Sequence, residues 1–129
     1  MKKRLFLILV LLLTLAFSLA ACGGGSEPKQ AAASASQGDA AKGEELFLAC
    51  SACHGKNGEG VPGLGKDMAH SEFIAGATDK ELVEFIKTGR PASDPLNTTG
   101  IDMPPKGGNP GLSEEDLYDI VAYIHTLQK

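Results

Sequence analysis

The stretch Cys50-Ser51-Ala52-Cys53-His54 sets two thiols three positions apart and puts an imidazole directly after the second. C-x-x-C-H is the attachment signal of a covalent c-type haem: the two thiols add to the two vinyl groups, and the adjacent imidazole becomes the proximal ligand of the iron. Three blander uses of a close cysteine pair fit this chain less well. A thioredoxin-like dithiol wants a βαβ setting, and no run here shows the alternation of a strand. Half a zinc site needs further ligands at matching spacing, and there is no second cysteine pair. A structural disulfide would have no use for His54.

Working outward from the motif, the sequence predicts a small all-α domain. A first helix starts near Gly38-Asp39, with Asp39 as N-cap, and runs into Leu46-Phe47-Leu48. A second has Thr78 and Glu81 in capping-box positions, then Leu82, Val83, Phe85 and Ile86 on one face, and stops at Gly89 with Pro91 just beyond. A third has Ser113 and Asp116 in capping-box positions, Leu112 and Leu117 as a hydrophobic staple, and a stripe of Leu117, Ile120, Val121 and Ile124. A shorter turn is expected from Ser71, carrying Phe73 and Ile74. The connections 55–70 and 89–111 are rich in Gly and Pro, and loops of that length in a compact domain usually carry function.

Upstream of the domain, Met1-Lys2-Lys3-Arg4 precedes an uncharged apolar run, Leu5 to Ala21, which together read as an export signal over residues 1–21. The run ends Leu19-Ala20-Ala21-Cys22-Gly23, which resembles the lipobox of bacterial lipoproteins, so Cys22 is expected to be lipidated. Two acyl chains on one cysteine hold stably at a membrane where one does not. The alternatives are an ordinary signal peptide with an incidental cysteine, or an uncleaved membrane helix; both still put the domain outside the cytoplasm. Residues 22–37, largely Gly, Ser and Ala, have no apolar period and are expected to form a flexible tether with a root-mean-square reach of about 20 Å.

The chain has 129 residues, 43% hydrophobic and 5% aromatic, and its net charge of −4 becomes −7 once the three leader cations are removed. An acidic domain argues against nucleic-acid binding, which needs a basic surface to displace counterions. The length excludes multi-domain enzymes, long repeat arrays and polytopic membrane proteins. A foldable part of about 90 residues is marginal without a disulfide, metal or buried cofactor, and covalent haem c with its iron supplies what is missing. The three cysteines are then all assigned: Cys22 to lipid, Cys50 and Cys53 to haem.

Residues 38–129 resemble class I c-type cytochromes of the small, monohaem bacterial type. The resemblance rests on Gly43 and Phe47, on Cys50-x-x-Cys53-His54-Gly55, on Pro62-Gly63-Leu64, on Met103-Pro104-Pro105 and on Tyr123. It implies three main helices plus a short turn around one covalent haem, with His54 below the iron and Met103 above it. Met68, His70 and His125 are rival ligands; Met68 is read as packing, and the two histidines as surface or half-buried. The resemblance further assigns the carbonyl of Pro62 to the Nδ1–H of His54, and the contact of first and last helices to Gly43, Phe47 and Tyr123. Asn97 or Thr98 is expected to hydrogen-bond toward the methionine sulfur or a haem propionate, the choice between them staying open.

With both axial positions filled by protein, no coordination site is left for a small-molecule substrate. The implied function is therefore electron transfer and not enzymatic catalysis, at the outer face of the bacterial cytoplasmic membrane. Redox proteins are the expected partners: a quinol-oxidising complex or dehydrogenase as donor, an oxidase or reaction centre as acceptor. The nearest alternative is a fixed cytochrome subunit of a larger respiratory or photosynthetic complex. More distant rivals are a haem-based gas sensor, a peroxidase-like enzyme and a haem-free dithiol oxidoreductase. By segment, the excess negative charge falls on the helices, while loops 50–70 and 87–111 are neutral and +1, so the expected docking face is the pair of ligand loops.

Overall fold

The computed structural model describes residues 37–129. The signal segment 1–21, Cys22 and the tether as far as residue 36 lie outside the described residues. The elements are α1 (Ala40–His54), α2 (Glu72–Gly76), α3 (Asp79–Thr88), a 3-10 turn (Pro105–Gly108) and α4 (Glu114–Leu127). Among the described residues there is no strand; the ladder-type pairings are two isolated bridges, Val61 with Gly65 and Arg90 with Met103. The all-α expectation holds, and the short turn after Ser71 is α2.

Each helix begins where a side chain can satisfy the free N–H groups of its first turn. The Asp39 carboxylate accepts from the N–H groups of Ala41 and Lys42. Thr78 with Glu81, and Ser113 with Asp116, form complete capping boxes. α1 continues through the cysteine motif to His54, because nothing breaks it before Gly55, whose φ of 79° a side chain would resist. α3 stops in the same way at Gly89, with φ 72°.

α1 and α4 pack at unusually close range, and Gly43 is what permits it. A Cβ at Gly43 would fall 1.9 Å from the backbone oxygen of Asp119. One turn along, the Phe47 and Tyr123 rings meet with centroids 5.2 Å apart, so the expected contact of first and last helices through these three residues is present. A polar clamp closes the outer end: the buried Asp119 carboxylate accepts the Asp39 N–H at 2.8 Å, and Lys42 bridges Asp119 and Asp116 at 2.8 and 3.0 Å.

Phe47, Ile74, Leu82, Val83, Ile86, Leu112, Leu117, Ile120, Val121 and Ile124 form one buried cluster. Leu112 and Leu117 are both buried, as a staple requires. Phe85, expected on the buried face of α3, is only half-buried. It lines a cleft beside the core, where it meets Phe73 edge-on with centroids 5.2 Å apart.

Candidate functional site

The cleft is lined from α1 by Cys50, Cys53 and His54, from the loop after it by Leu64 and Met68, from α3 by Leu82, Phe85 and Ile86, and from the long loop by Arg90 and Met103. Counting its open mouth, the cleft holds about 1130 Å³ of empty space.

Residues three apart on a helix share a face, which puts both cysteines on the cleft side of α1. Both are free, half-buried thiols. Burial pushes the Cys50 thiol above its ordinary range, and the neighbouring Cys53 adds to the effect. The loop after α1 then folds back onto the motif: the Gly60 N–H reaches the His54 carbonyl at 2.7 Å, and the Val61 N–H the Cys53 carbonyl at 3.2 Å. Gly65 allows this return, since a Cβ there would fall 2.2 Å from the Cys53 oxygen.

His54 is corrected in one respect. Its Nδ1 lies 2.9 Å from the carbonyl of Lys66, not that of Pro62. Val61 and Gly65 close on each other through two hydrogen bonds, 3.1 and 3.0 Å, and Pro62 is left on the exposed tip of that tight turn. The Lys66 carbonyl follows the turn and takes the position beside the imidazole. A carbonyl at that nitrogen can fix ring orientation and tautomer, and Lys66 is the residue placed to supply it.

Met103 is held by its backbone. Arg90 and Met103 exchange two N–H···O bonds, both 2.8 Å, which close the loop between them. Inside that loop Asn97 acts as a hub: its amide donates to the carbonyls of Pro91 and Ile101, and its oxygen accepts from the Thr99 N–H, the Thr99 hydroxyl and the Gly100 N–H. Both amide hydrogens are used within the loop, so Asn97 has none for a sulfur or a propionate. Thr99, not Thr98, lines the cleft.

Of the rival ligands, Met68 lines the cleft, half-buried against the core. His70 and His125 do not line it; His70 pairs with Asp67 at 2.8 Å, and His125 Nε2 sits 3.0 Å from Asp79. Among the described residues no group of three or more His, Cys, Asp or Glu is placed to hold a bare metal ion.

These residues fit a haem. Two thiols, an imidazole and a thioether share one apolar cleft, and Leu64, Phe73 and Ile101, among the more exposed large apolar side chains, all line it. Sequence reasoning missed Lys66 and Arg90. The Gly89-Arg90-Pro91 triplet marks the start of a loop, but nothing local to it announces a pairing with a residue thirteen positions on.

Comparison with known proteins agrees with the geometry. The family described as Cytochrome c matches residues 40–128. The chain is 36% identical over 90 residues to the Cbb3-type cytochrome c oxidase subunit FixP of Azorhizobium caulinodans, covering 68% of this chain and 27% of that protein. It is 37% identical over 94 residues to cytochrome c-551 of Bacillus subtilis, covering 70% of this chain and 79% of the relative. Against cytochrome c-554(548) of Halomonas halodenitrificans the figures are 34% over 94 residues, 67% and 93%. The chain thus spans about a quarter of FixP but most of the two small cytochromes. No solved structure matches. With a cleft that fits the group and a family match across nearly the whole described domain, the chain belongs to the cytochrome c family and carries covalently bound haem c with its iron.

Proposed function

We propose that the protein is a lipid-anchored, single-haem electron carrier at the outer face of the bacterial cytoplasmic membrane. Cys50 and Cys53 hold the haem covalently, and His54 and Met103 supply the two axial ligands. The observation that carries this reading is the meeting of all four side chains on one apolar cleft, with the His54 ring oriented by Lys66 and the Met103 backbone clamped by Arg90. The haem supplies one-electron chemistry; the chain keeps its iron low-spin, excludes water from it and offers a docking surface. A thioether is a soft, neutral donor and raises the potential relative to a second imidazole. Cys22, carrying lipid, tethers the domain through residues 23–37 within reach of membrane-bound partners: a quinol-oxidising complex or dehydrogenase as donor, an oxidase or reaction centre as acceptor.

A second reading, a fixed subunit of an oxidase complex, is favoured by one observation, the similarity to a protein whose name is that of an oxidase subunit. The two readings are tested together on native membranes. The haem of the wild-type protein should be reduced by quinol and reoxidised on adding the terminal acceptor. Solubilised gently, a carrier migrates alone and a subunit migrates with its complex. Cys22→Ser should release the domain to the aqueous phase or leave it unprocessed. A haem that exchanges electrons with neither end of the chain overturns both readings.

A further inference from the structure

α3 ends at Gly89, whose φ of 72° and ψ of −165° lie where a side chain is not tolerated. A glycine at that point leaves the chain free to depart in many directions, and few of them bring the next residue alongside Met103. In the direction taken, the backbones of Arg90 and Met103 exchange two N–H···O bonds of 2.8 Å. Gly89 itself comes so near that a Cβ on it would fall 2.2 Å from the Met103 oxygen. Pro91 restricts Arg90 to extended geometry, but it does not decide where that extended segment points.

The side chain of Arg90 supplies the direction. It folds back over the helix the chain has just left. Its guanidinium carbon stands 4.7 Å from the centre of the Phe85 ring on α3 and 5.6 Å from that of the Phe73 ring on α2. A ring face attracts a cation, more strongly where water is excluded, and this side chain is only 16% exposed. Hydrogen bonds do not tie it to the helices: its buried Nε has no acceptor. The carboxylate paired with it, Asp94 at 3.8 Å, belongs to the same loop and moves with it. Asn97, too, bonds only within that loop. The two rings are thus what joins the start of the distal loop to α2 and α3.

We propose that Phe85 and Phe73 are positioning residues for Met103: by holding the Arg90 guanidinium over their rings they aim the chain leaving α3, and so set how often the Arg90–Met103 pair opens. The inference rests on the haem-carrier reading above and deepens it. A Met103 whose backbone is released does not keep its sulfur over the iron, so two aromatic side chains that ligate nothing govern the distal ligand.

The test follows amide hydrogen exchange by NMR in the ferrous holoprotein, at the Arg90 and Met103 N–H groups that form the pair. The ferric form gives two further readouts, the iron–sulfur charge-transfer band and the affinity for added imidazole, which enters only when Met103 leaves. Arg90→Met keeps the length but removes the charge, and should raise exchange at both amides about tenfold, the loss of a largely desolvated cation–ring contact. Phe85→Leu should raise it roughly fivefold and Phe73→Leu, at the longer distance, about twofold. Arg90→Lys, still a cation, should stay within about threefold of wild type. Imidazole affinity should rise by the same factors. Because Phe85 acts through Arg90, the double variant should reach about tenfold, not the roughly fiftyfold product of independent effects. Wild-type exchange in Arg90→Met or Phe85→Leu overturns the proposal, and so does a fiftyfold double variant. If either of those variants does not fold, the half-exposed Phe73→Leu decides: a twofold rise supports the proposal and no rise overturns it. Faster exchange without a change in imidazole affinity, in a protein whose wild type shows the band, also overturns it. A wild type that lacks the band fails the underlying ligand assignment instead, while exchange at the two amides still judges the hold of the rings on the loop.

Discussion

Removing the Asn97 side chain should unfasten the distal loop without touching the helices. Asn97→Ala deletes five hydrogen bonds, two donated to Pro91 and Ile101 and three accepted from Thr99 and Gly100. The loop is largely exposed, so water replaces much of each bond, and the low end of the usual net value, about 0.5 kcal/mol, applies to each. Together they amount to about 2–3 kcal/mol on the opening of the loop. At 1.4 kcal/mol per factor of ten, the open population rises roughly 30- to 150-fold. With Met103 as distal ligand, CO reaches ferrous iron only when the loop is open, so the CO association rate should rise by the same factor. Asn97→Asp keeps the acceptor and loses only the two donated bonds, which predicts roughly a fivefold rise. Stopped-flow CO binding measures both. An Asn97→Ala protein that binds CO at the wild-type rate refutes the idea that this side chain sets the opening of the Met103 loop.

Three further outcomes follow from the packing and the charges. Gly43→Ala forces a methyl group against the Asp119 carbonyl; overpacking against backbone should cost about 3 kcal/mol and lower the melting temperature of the holoprotein by more than about 10 °C. Burial pushes the Asp119 carboxyl up, but hydrogen bonds from Lys42 and the Asp39 N–H more than offset this and leave it below its ordinary range; Asp116 is held lower still by Ser113 and Lys42. Depressed carboxylates stabilise the fold above their unfolded pKa, near 4, and that stability is lost as pH falls below it, so thermal melts should show an acid limb that Asp119→Asn flattens. For docking, Lys56→Glu should slow electron transfer to a redox partner in a salt-dependent way, whereas Glu114→Lys and Glu115→Lys on α4 should not. Lys66→Glu and Lys106→Glu should also slow it, and should loosen the loops as well, because their ammonium groups hold the carbonyls of Leu96 and Leu112. If only the α4 reversals change the rate, the docking face lies elsewhere.

What was legible in the sequence was whatever acts over three or four residues or repeats with a period. Asp39, Thr78 with Glu81, and Ser113 with Asp116 cap helices through bonds to neighbours in the chain, and the stripe on α4 follows its 3.6-residue period. The cysteine motif was legible because its chemistry is local, two thiols and an imidazole within five residues. What escaped was the business of the irregular loops. Whether Pro62 or Lys66 faces His54 depends on how a five-residue turn closes, and no pattern encodes that. Arg90 and Met103 meet across thirteen positions that have no period at all. Phe85 obeys the helical spacing of a core residue, yet it borders a cleft shaped to receive a cofactor; an apolar stripe does not distinguish packing against protein from packing against a bound group. The charge count of segments 50–70 and 87–111 treats their lysines alike, but Lys66 and Lys106 are tied to carbonyls and Lys87 to the carboxylates of Glu84 and Glu114.

The central claim, that His54 and Met103 close both faces of one haem iron, is tested most directly by the ferrous holoprotein's response to CO, with and without Met103. The wild type should stay low-spin and six-coordinate, show the ferric charge-transfer band of an iron–sulfur bond, and bind CO slowly. Met103→Ala should lose that band and bind CO fast, while Met68→Ala keeps the wild-type spectrum. A Met103→Ala protein with an unchanged spectrum and unchanged CO kinetics, or a Met68→Ala protein that loses the band, would contradict the account.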